Sequence, residues 1–354
     1  MTRRVPGVSV IVPANNAGRH IQRAIESVQA QTMHDYELIV VDAASTDRTA
    51  DIVRSIAERD VRVDLLSCET DNLIDAINLG LDHARGTYVC LMGASDWMAP
   101  DSCNHVLSVA DANDLQMVMA GIMVGRPSKD QTNWAPLGCE DRVFSTVEEF
   151  RGEAWRYFDT SILGIPLGKL LLRQRIEDLG LRFADEKGCG LRFMLDFVRD
   201  VERVGFVGDT FVHALAPARA VDDEAEWQPN AFDSCDDLHS RFVDLYDHWD
   251  LEDDAPSAQM VERHYLEDVL ACVENLYRPG CDLSSTQKRA EVERMVLTPK
   301  AKQSASVVRL STPMDRAMAD SIRKGDARMV AFEGRLSAFL APPRTTGTCG
   351  LLCG

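Results

Sequence analysis

Apolar residues form alternating strand-like and helix-like blocks through the first part of the chain. Short apolar runs rich in β-branched residues predict buried strands, at residues 8–12, 36–41, 61–66 and 86–91. Apolar residues at helical spacing predict amphipathic helices between these strands, at residues 20–30, 50–57 and 73–84. Because strands and helices alternate, the pattern predicts an α/β domain with a doubly wound, mostly parallel sheet.

The pattern changes after about Ala214, where strand-like runs give way to helical ones. Helical spacing of apolar residues recurs in four segments, at residues 238–249, 258–277, 285–295 and 315–340. The last segment carries an apolar stripe, formed by Met318, Ile322, Met329, Phe332 and Leu336. We therefore predict an N-terminal domain over 1–215 and a helical region over 230–340, folded back on that domain or used for self-association. The tail at 341–354 has no periodicity, so we expect it to be disordered.

The composition of the chain limits which binding partners and which cellular location we expect. Among 354 residues, 45% are hydrophobic and 27% are charged, which is typical of a globular protein. The net charge of −18 argues against nucleic acid as a partner and against general attraction to anionic membranes. No apolar run is long enough to cross a bilayer, and Met1 to Arg4 lead directly into a core strand without a signal segment. The expected location is the cytoplasm, with reduced thiols.

Two carboxylates follow predicted strands of the sheet. Asp42 ends the second strand, and Asp96 lies in Gly93-Ala94-Ser95-Asp96, after the fourth. Ligands of α/β sheets bind outside the carboxyl ends of the strands, so both are candidate ligand residues. Each has a structural alternative, since a short acidic side chain in such a loop also caps helices or orders turns. No Gly-x-Gly-x-x-Gly follows the first strand, which argues against a dinucleotide-dependent dehydrogenase.

Several segments resemble, in order, the motifs of one known family. They are the opening strand and turn at 8–16, the loop at 40–49, the stretches at 75–80 and 84–88, and the later segments at 166–170 and 181–183. Together they resemble family 2 glycosyltransferases, inverting enzymes with the GT-A fold that use nucleotide-activated sugars. The resemblance covers roughly residues 1–215. Because six motifs occur in the right order, the similarity is hard to attribute to chance.

The resemblance implies roles for particular residues. It places nucleotide contacts at matching positions of the first strands and of the 73–84 helix, namely Pro13, Asn16, Asp42, Asp75 and Asn78. The family usually carries Asp-x-Asp at the positions of Gly93 and Ser95, which hold no carboxylate here. Asp96 is then the remaining candidate ligand for Mg²⁺ or Mn²⁺, because Mg²⁺ is often held by one or two carboxylates plus substrate phosphates.

The catalytic base is a second departure from the family pattern. Inverting transfer requires a carboxylate that accepts the proton of the acceptor hydroxyl. The family places it in a Glu-Asp pair before a helix, which corresponds to Cys189-Gly190, and neither residue can act as that base. Asp185 and Glu186 lie slightly upstream and are the candidates, with solvated loop charges as the alternative. His213 matches a histidine that ligates metal in some relatives, and its alternative is a half-buried strand histidine.

Two functional hypotheses follow. In the first, the chain moves a sugar from a nucleotide diphosphate donor to a hydroxyl of a glycan or lipid-linked acceptor, for surface polysaccharide or glycoconjugate synthesis. Peripheral association with the inner face of the membrane and homo-oligomerisation through the helical region are further expectations. In the second, the chain is an inactive relative that serves as a nucleotide-binding or scaffolding subunit. Departures at functional positions motivate the second hypothesis, at Ala43, Gly93, Ser95, Cys189 and Gly190.

Overall fold

The computed structural model describes residues 5–127, 131–184, 188–215 and 227–340. By its internal contacts the chain divides into an N-terminal unit within residues 1–218 and a C-terminal unit within residues 219–347.

The N-terminal unit begins with alternating strands and helices. They are β1 (Val8–Ala14), α1 (Ile21–Gln29), β2 (Tyr36–Ala43), α2 (Thr49–Ala57), β3 (Val63–Cys68), α3 (Leu73–His83) and β4 (Tyr88–Leu91). These strands pair in parallel in the order β3-β2-β1-β4, and every residue of β1, β2 and β4 is buried. The predicted elements are confirmed, because strands buried on both faces have the continuous apolar runs seen in the sequence.

The second half of the unit extends the sheet. It contains β5 (Trp97–Met98), α4 (Ser102–Ala112), β6 (Met117–Pro127), β7 (Thr132–Leu137), β8 (Arg142–Val143), α5 (Val147–Asp159), β9 (Lys169–Leu172), α6 (Arg173–Asp178), α7 (Cys189–Val198) and β10 (Val204–Leu215). The order continues β4-β9-β6-β10-β5, with β7 beside β6 and β8 beside β10. β9 is antiparallel to both β4 and β6, so β6 runs in the direction of β4, and β10 is parallel to β6. The carboxyl ends of β1, β2, β4, β6 and β10 therefore share one edge of the sheet, here called the carboxyl edge.

A buried polar network holds the opposite edge of the sheet. Glu37, on β2, accepts hydrogen bonds from the Ser9 hydroxyl at 2.6 Å and from the Arg85 backbone N–H at 2.6 Å. The Arg85 guanidinium binds the other carboxylate oxygen, through Nε at 2.9 Å. Burial raises the pKa of Glu37, but the hydrogen bonds from Ser9 and Arg85 outweigh it, so the net shift is downward. The network ties β1, β2 and the start of β4 together away from the carboxyl edge.

The C-terminal unit is helical. It contains α8 (Ala231–His248), α9 (Ala255–Asn275), α10 (Ser285–Val296), α11 (Pro299–Val307), α12 (Pro313–Lys324) and α13 (Ala327–Leu340). Its apolar core includes α9 residues such as Leu266, Val269 and Leu270, which are fully buried. None of the helices in the described residues is long and apolar enough to cross a membrane.

The prediction of one helix over 315–340 is wrong, because Gly325 ends α12. Its φ of 72° lies in the left-handed region, and its N–H bonds the carbonyl of Ile322. The break changes the phase of the apolar stripe. Met318 and Ile322 are fully buried, whereas Met329 and Phe332 are 45% and 62% exposed.

The exposed side of α13 carries a regular apolar row. Met329, Phe332, Leu336 and Phe339 follow each other at intervals of three, four and three residues, and all are exposed. The opposite side, with Ala327, Val330, Gly334 and Ser337, is buried within the unit. α13 therefore has two distinct faces, one packed in the core and one without a cover in the described residues.

Candidate functional site

The loops after β1 and β2 are bound to each other at the carboxyl edge. The Asn16 side-chain oxygen accepts hydrogen bonds from the backbone N–H of Thr46 at 2.9 Å and from its hydroxyl at 3.1 Å. The backbone N–H of Asn16 donates to the Ser45 hydroxyl at 2.9 Å. Asp47 accepts from the N–H groups of Gly18 and Thr49, and so orders the start of α2. Asn16, a predicted nucleotide contact, therefore links the two loops through its hydrogen bonds.

Asp42 lies at the end of β2, beside Ala14 of β1 and Ser67 of β3. It is 7% exposed, and its Oδ1 is buried without a hydrogen-bond partner among the described residues. Pro13 lies one position before Ala14, so these two predicted nucleotide residues come together. Leaving a buried acceptor unsatisfied costs about 1–3 kcal/mol, and more when it is charged. An N–H or O–H group of a ligand would remove that cost.

The remaining predicted nucleotide residues lie on α3. Asp75 is exposed in its first turn and accepts a hydrogen bond from the Thr70 hydroxyl at 2.7 Å. The Asn78 amide donates to the Phe183 carbonyl at 2.8 Å, and its oxygen accepts from the Phe183 N–H at 2.9 Å. Asn78 therefore fixes the 181–183 segment to α3, and its carboxamide is already engaged. Its nucleotide role, like that of Asp75, stays a prediction.

Asp96 closes the loop that follows β4. It is 2% exposed, its Oδ2 accepts from the Gly93 N–H at 2.9 Å, and its Oδ1 accepts from the Leu215 N–H at 2.9 Å. Burial raises the pKa of Asp96 to about 7, opposed by those two backbone hydrogen bonds and by the charge of Arg23. Asp96 joins the loop after β4 to the end of β10, rather than capping α4.

The described residues do not fit a resident divalent cation. Within them, no group of three or more histidine, cysteine or acidic side chains is arranged to hold a metal ion. Asp96 offers one carboxylate, which is shielded from solvent and bonded to backbone N–H groups. The metal role of Asp96 stays a prediction, which would rest on this one carboxylate together with the phosphates of a bound nucleotide.

An aromatic cluster, defined as Trp97, Trp134 and His213, lies next to that loop. Trp97 and His213 face each other across the β5–β10 pair and stack at 5.0 Å between ring centroids, with 6° between their planes. Trp134 packs edge-on against both rings, at 5.3 Å and 5.8 Å. Burial lowers the pKa of His213, which favours the neutral ring. Trp97 is thus a packing residue.

Arg23 of α1 contacts both the cluster and the loop. Its guanidinium carbon lies 3.9 Å from the centroid of the Trp97 ring, and its Nη2 donates to the Ser95 carbonyl at 2.7 Å. Burial lowers the pKa of Arg23 and the nearby Asp96 raises it. The guanidinium remains charged at any ordinary pH. Sequence reasoning missed Arg23, because nothing in the spacing of α1 indicates that it reaches the loop after β4.

Lys169 organises the segment that resembles the acceptor side. It is fully buried, and its ammonium group donates to the carbonyl oxygens of Ile162 at 2.6 Å, of Leu167 at 3.4 Å and of Ile165. Burial lowers the pKa of Lys169 to about 7. The sequence left open whether this lysine packs or binds, and the structure places it as an internal cap for these carbonyls.

The start of α7 packs closely on that segment. A Cβ on Gly190 would lie 3.0 Å from Cδ of Pro166, so a side chain there would press on the segment. Cys189 is buried, and Gly188 before it has a φ of 77°. Packing therefore disfavours a side chain at Gly190 and encloses Cys189. The predicted catalytic residues, Asp185 and Glu186, lie outside the described residues.

Comparisons with known proteins agree with this architecture. The family model described as Glycosyl transferase family 2 matches residues 9–180. The uncharacterized glycosyltransferase EpsJ of Bacillus subtilis (strain 168) is 28% identical over 206 residues, which are 56% of this chain and 58% of that protein. The putative glycosyltransferase EpsH of the same organism is 34% identical over 111 residues, or 31% and 32% of the two chains. The matches thus span less than two thirds of these relatives.

A solved structure shows the same fold. S. aureus TarS 1-349, crystallised in complex with UDP-GlcNAc, superposes with a TM-score of 0.66 at 16% identity, covering 93% of this chain and 90% of that one. This likeness confirms the predicted GT-A fold. The match to the glycosyl transferase family 2 model, at residues 9–180, lies within the N-terminal unit.

Proposed function

We propose that this chain transfers a sugar from a nucleoside diphosphate sugar to a hydroxyl of a glycan or lipid-linked acceptor, with inversion at the sugar carbon. The observation that carries the proposal is the unpartnered, buried Oδ1 of Asp42 at the carboxyl edge of the described residues. That oxygen suits an N–H of a nucleotide base or a ribose hydroxyl. Uridine is the proposed nucleoside, since the TarS structure was solved with UDP-GlcNAc.

The proposed reaction is a single displacement. The acceptor oxygen forms a bond to the anomeric carbon while the bond from that carbon to the diphosphate breaks. The hydroxyl proton passes to a carboxylate, for which Asp185 and Glu186 are the candidates. The nucleoside diphosphate leaves with the bonding electrons.

The biological setting is part of the proposal. EpsJ and EpsH are named as glycosyltransferases, and a hyaluronan synthase of Pasteurella multocida is 31% identical over 99 residues, which are 28% of this chain and 10% of that one. These names support synthesis of a surface polysaccharide or glycoconjugate. We propose the cytoplasm, at the inner face of the membrane, as the location, because a lipid-linked acceptor would present its sugar there.

A catalytically inactive, nucleotide-binding subunit is the second candidate. The enclosed Asp96 carboxylate and the lack of a carboxylate at Cys189-Gly190 favour it. Incubation with UDP-GlcNAc and lipid-linked or glycan acceptors separates the candidates. Acceptor-dependent release of UDP, with a product of inverted anomeric configuration by NMR, supports the enzyme. Saturable UDP binding without any transfer across the acceptors tested supports the subunit.

We further propose that the exposed face of α13 binds a second copy of this chain. The three-four-three spacing of Met329, Phe332, Leu336 and Phe339 is that of a two-helix seam. Sedimentation should show the dimer shifting to monomer when Phe332→Asp and Phe339→Asp are combined. Val307→Asp is the control, because Val307 is exposed on α11 instead. A wild-type chain that sediments as a monomer would refute this interface.

A further inference from the structure

Arg23 lies close to the point where the strand order of the sheet reverses. The neighbours of β1 are β2 on one side and β4 on the other, and ligands of such sheets bind outside the carboxyl ends at this point. Arg23 lies in the first turn of α1, which follows β1, and it bonds the carbonyl of Ser95 in the loop that follows β4. Its guanidinium therefore links α1, the helix after β1, to the loop after β4.

The aromatic cluster holds this cation in place. The guanidinium lies over Trp97, which is itself stacked on His213 and contacted edge-on by Trp134. A cation over an indole face is attracted by the ring, and a ring packed on two others has little freedom to move. The folded chain therefore already orders the Arg23 side chain, so that little further side-chain entropy is lost when a ligand binds to it.

The guanidinium of Arg23 keeps N–H donors that a ligand could use. In the described part of the chain no acidic side chain forms an ion pair with it, and the nearby Asp96 carboxylate is bonded to the N–H groups of Gly93 and Leu215. A guanidinium has five N–H donors, of which the Ser95 carbonyl takes one. Planar, forked donors of this kind match phosphate oxygens.

Gly93 and Ser95 leave this loop without the paired carboxylates that would hold a divalent cation. We propose that Arg23 binds the diphosphate of the nucleotide and supplies at this loop the positive charge that such a cation would supply, so that nucleoside diphosphate binding is independent of metal. The inference rests on the proposed function, because it presumes a nucleoside diphosphate as the ligand.

Paired titrations of UDP and UMP test the role of Arg23. Wild-type protein should bind UDP equally well in EDTA and in Mg²⁺ or Mn²⁺, and more tightly than UMP. Arg23→Gln should lose roughly 10- to 100-fold in UDP affinity, as expected for one hydrogen-bonded charge, and little in UMP affinity. Arg23→Lys keeps the charge and should lose less. Arg54→Gln is the control, because Arg54 is an exposed arginine near the end of α2.

The outcomes separate this inference from the proposed function. UDP binding that requires Mg²⁺ or Mn²⁺ would overturn it, as would an Arg23→Gln protein that still prefers UDP to UMP by the wild-type ratio. In either case the nucleotide site itself would stand. Failure of the folded wild-type protein to bind either nucleotide would refute both proposals. Thermal melting of each variant shows whether a loss of affinity reflects a loss of folding.

Discussion

Replacing Asp42 with alanine should change nucleotide binding and stability in opposite directions. In the free protein the buried Oδ1 of Asp42 has no partner among the described residues, which is an energetic cost. In the complex the same oxygen would accept a hydrogen bond from the nucleotide. Asp42→Ala removes the cost from the free protein and the bond from the complex. A residue that only orders its loop would instead lose stability on replacement.

The expected changes in UDP affinity and in stability follow from the energy of the hydrogen bond that Asp42 would accept. A bond to a charged group contributes about 1.5–3 kcal/mol, which corresponds to roughly 10- to 100-fold in UDP affinity. Relief of an unsatisfied buried acceptor is worth about 1–3 kcal/mol, partly offset by the packing lost with the side chain. We therefore expect the free variant to be as stable as the wild type or more stable, by up to about 1 kcal/mol after that offset.

Calorimetric titration with UDP and urea unfolding of the free protein measure the two effects. Asp51→Ala is the control, since Asp51 is an exposed carboxylate on α2. It should leave the UDP affinity unchanged. An Asp42→Ala protein that binds UDP as tightly as the wild type would exclude Asp42 from the site. A large loss of stability with no specific loss of affinity would assign it to loop ordering.

Two further predictions concern buried charges away from Asp42. Glu37→Ala should destabilise the fold by about 3 kcal/mol, because it leaves Ser9 and Arg85 without their shared acceptor. The difference from wild type in urea unfolding should shrink as the pH falls below about 4.5, since the pKa of Glu37 is lowered in the fold. For Lys169 the sign is the same, because the fold lowers its pKa as well, here through burial. Its pKa is lowered from 10.5 to about 7, so the unfolded chain binds more protons between these values, and wild type should gain stability relative to Lys169→Met as the pH rises through that range. If the difference in stability between the wild type and one of these variants did not change with pH, the explanation for that residue would be contradicted.

The sequence predicted the α/β half of the chain because its strands are buried on both faces. Runs such as residues 36–41 are mostly apolar and short, and such runs are typical of strands in the interior of a parallel sheet. Asp42 could be located for the same reason, since it ends such a run. The break at Gly325 was missed because a helical apolar period continues on both sides of it, and a single glycine within a periodic segment does not by itself indicate a helix end.

The side-chain partners of the site could not be predicted. Arg23 lies 72 residues before Ser95, and Asn78 lies 105 residues before Phe183. Each contact depends on how a helix is placed against a distant loop, which local periodicity does not encode. Likewise, the burial of Lys169 follows from three carbonyls that converge on it only after the 162–167 segment has folded.

We propose that the carboxyl edge around Asp42 is a working nucleotide site. Calorimetric titration of the wild-type protein with UDP, GDP, dTDP and CDP, each with and without Mn²⁺, measures whether it binds a nucleotide. We predict saturable binding of one nucleoside diphosphate, with UDP expected, at an affinity that Mn²⁺ does not change. Failure of the folded protein to bind any of the four under either condition would contradict the account.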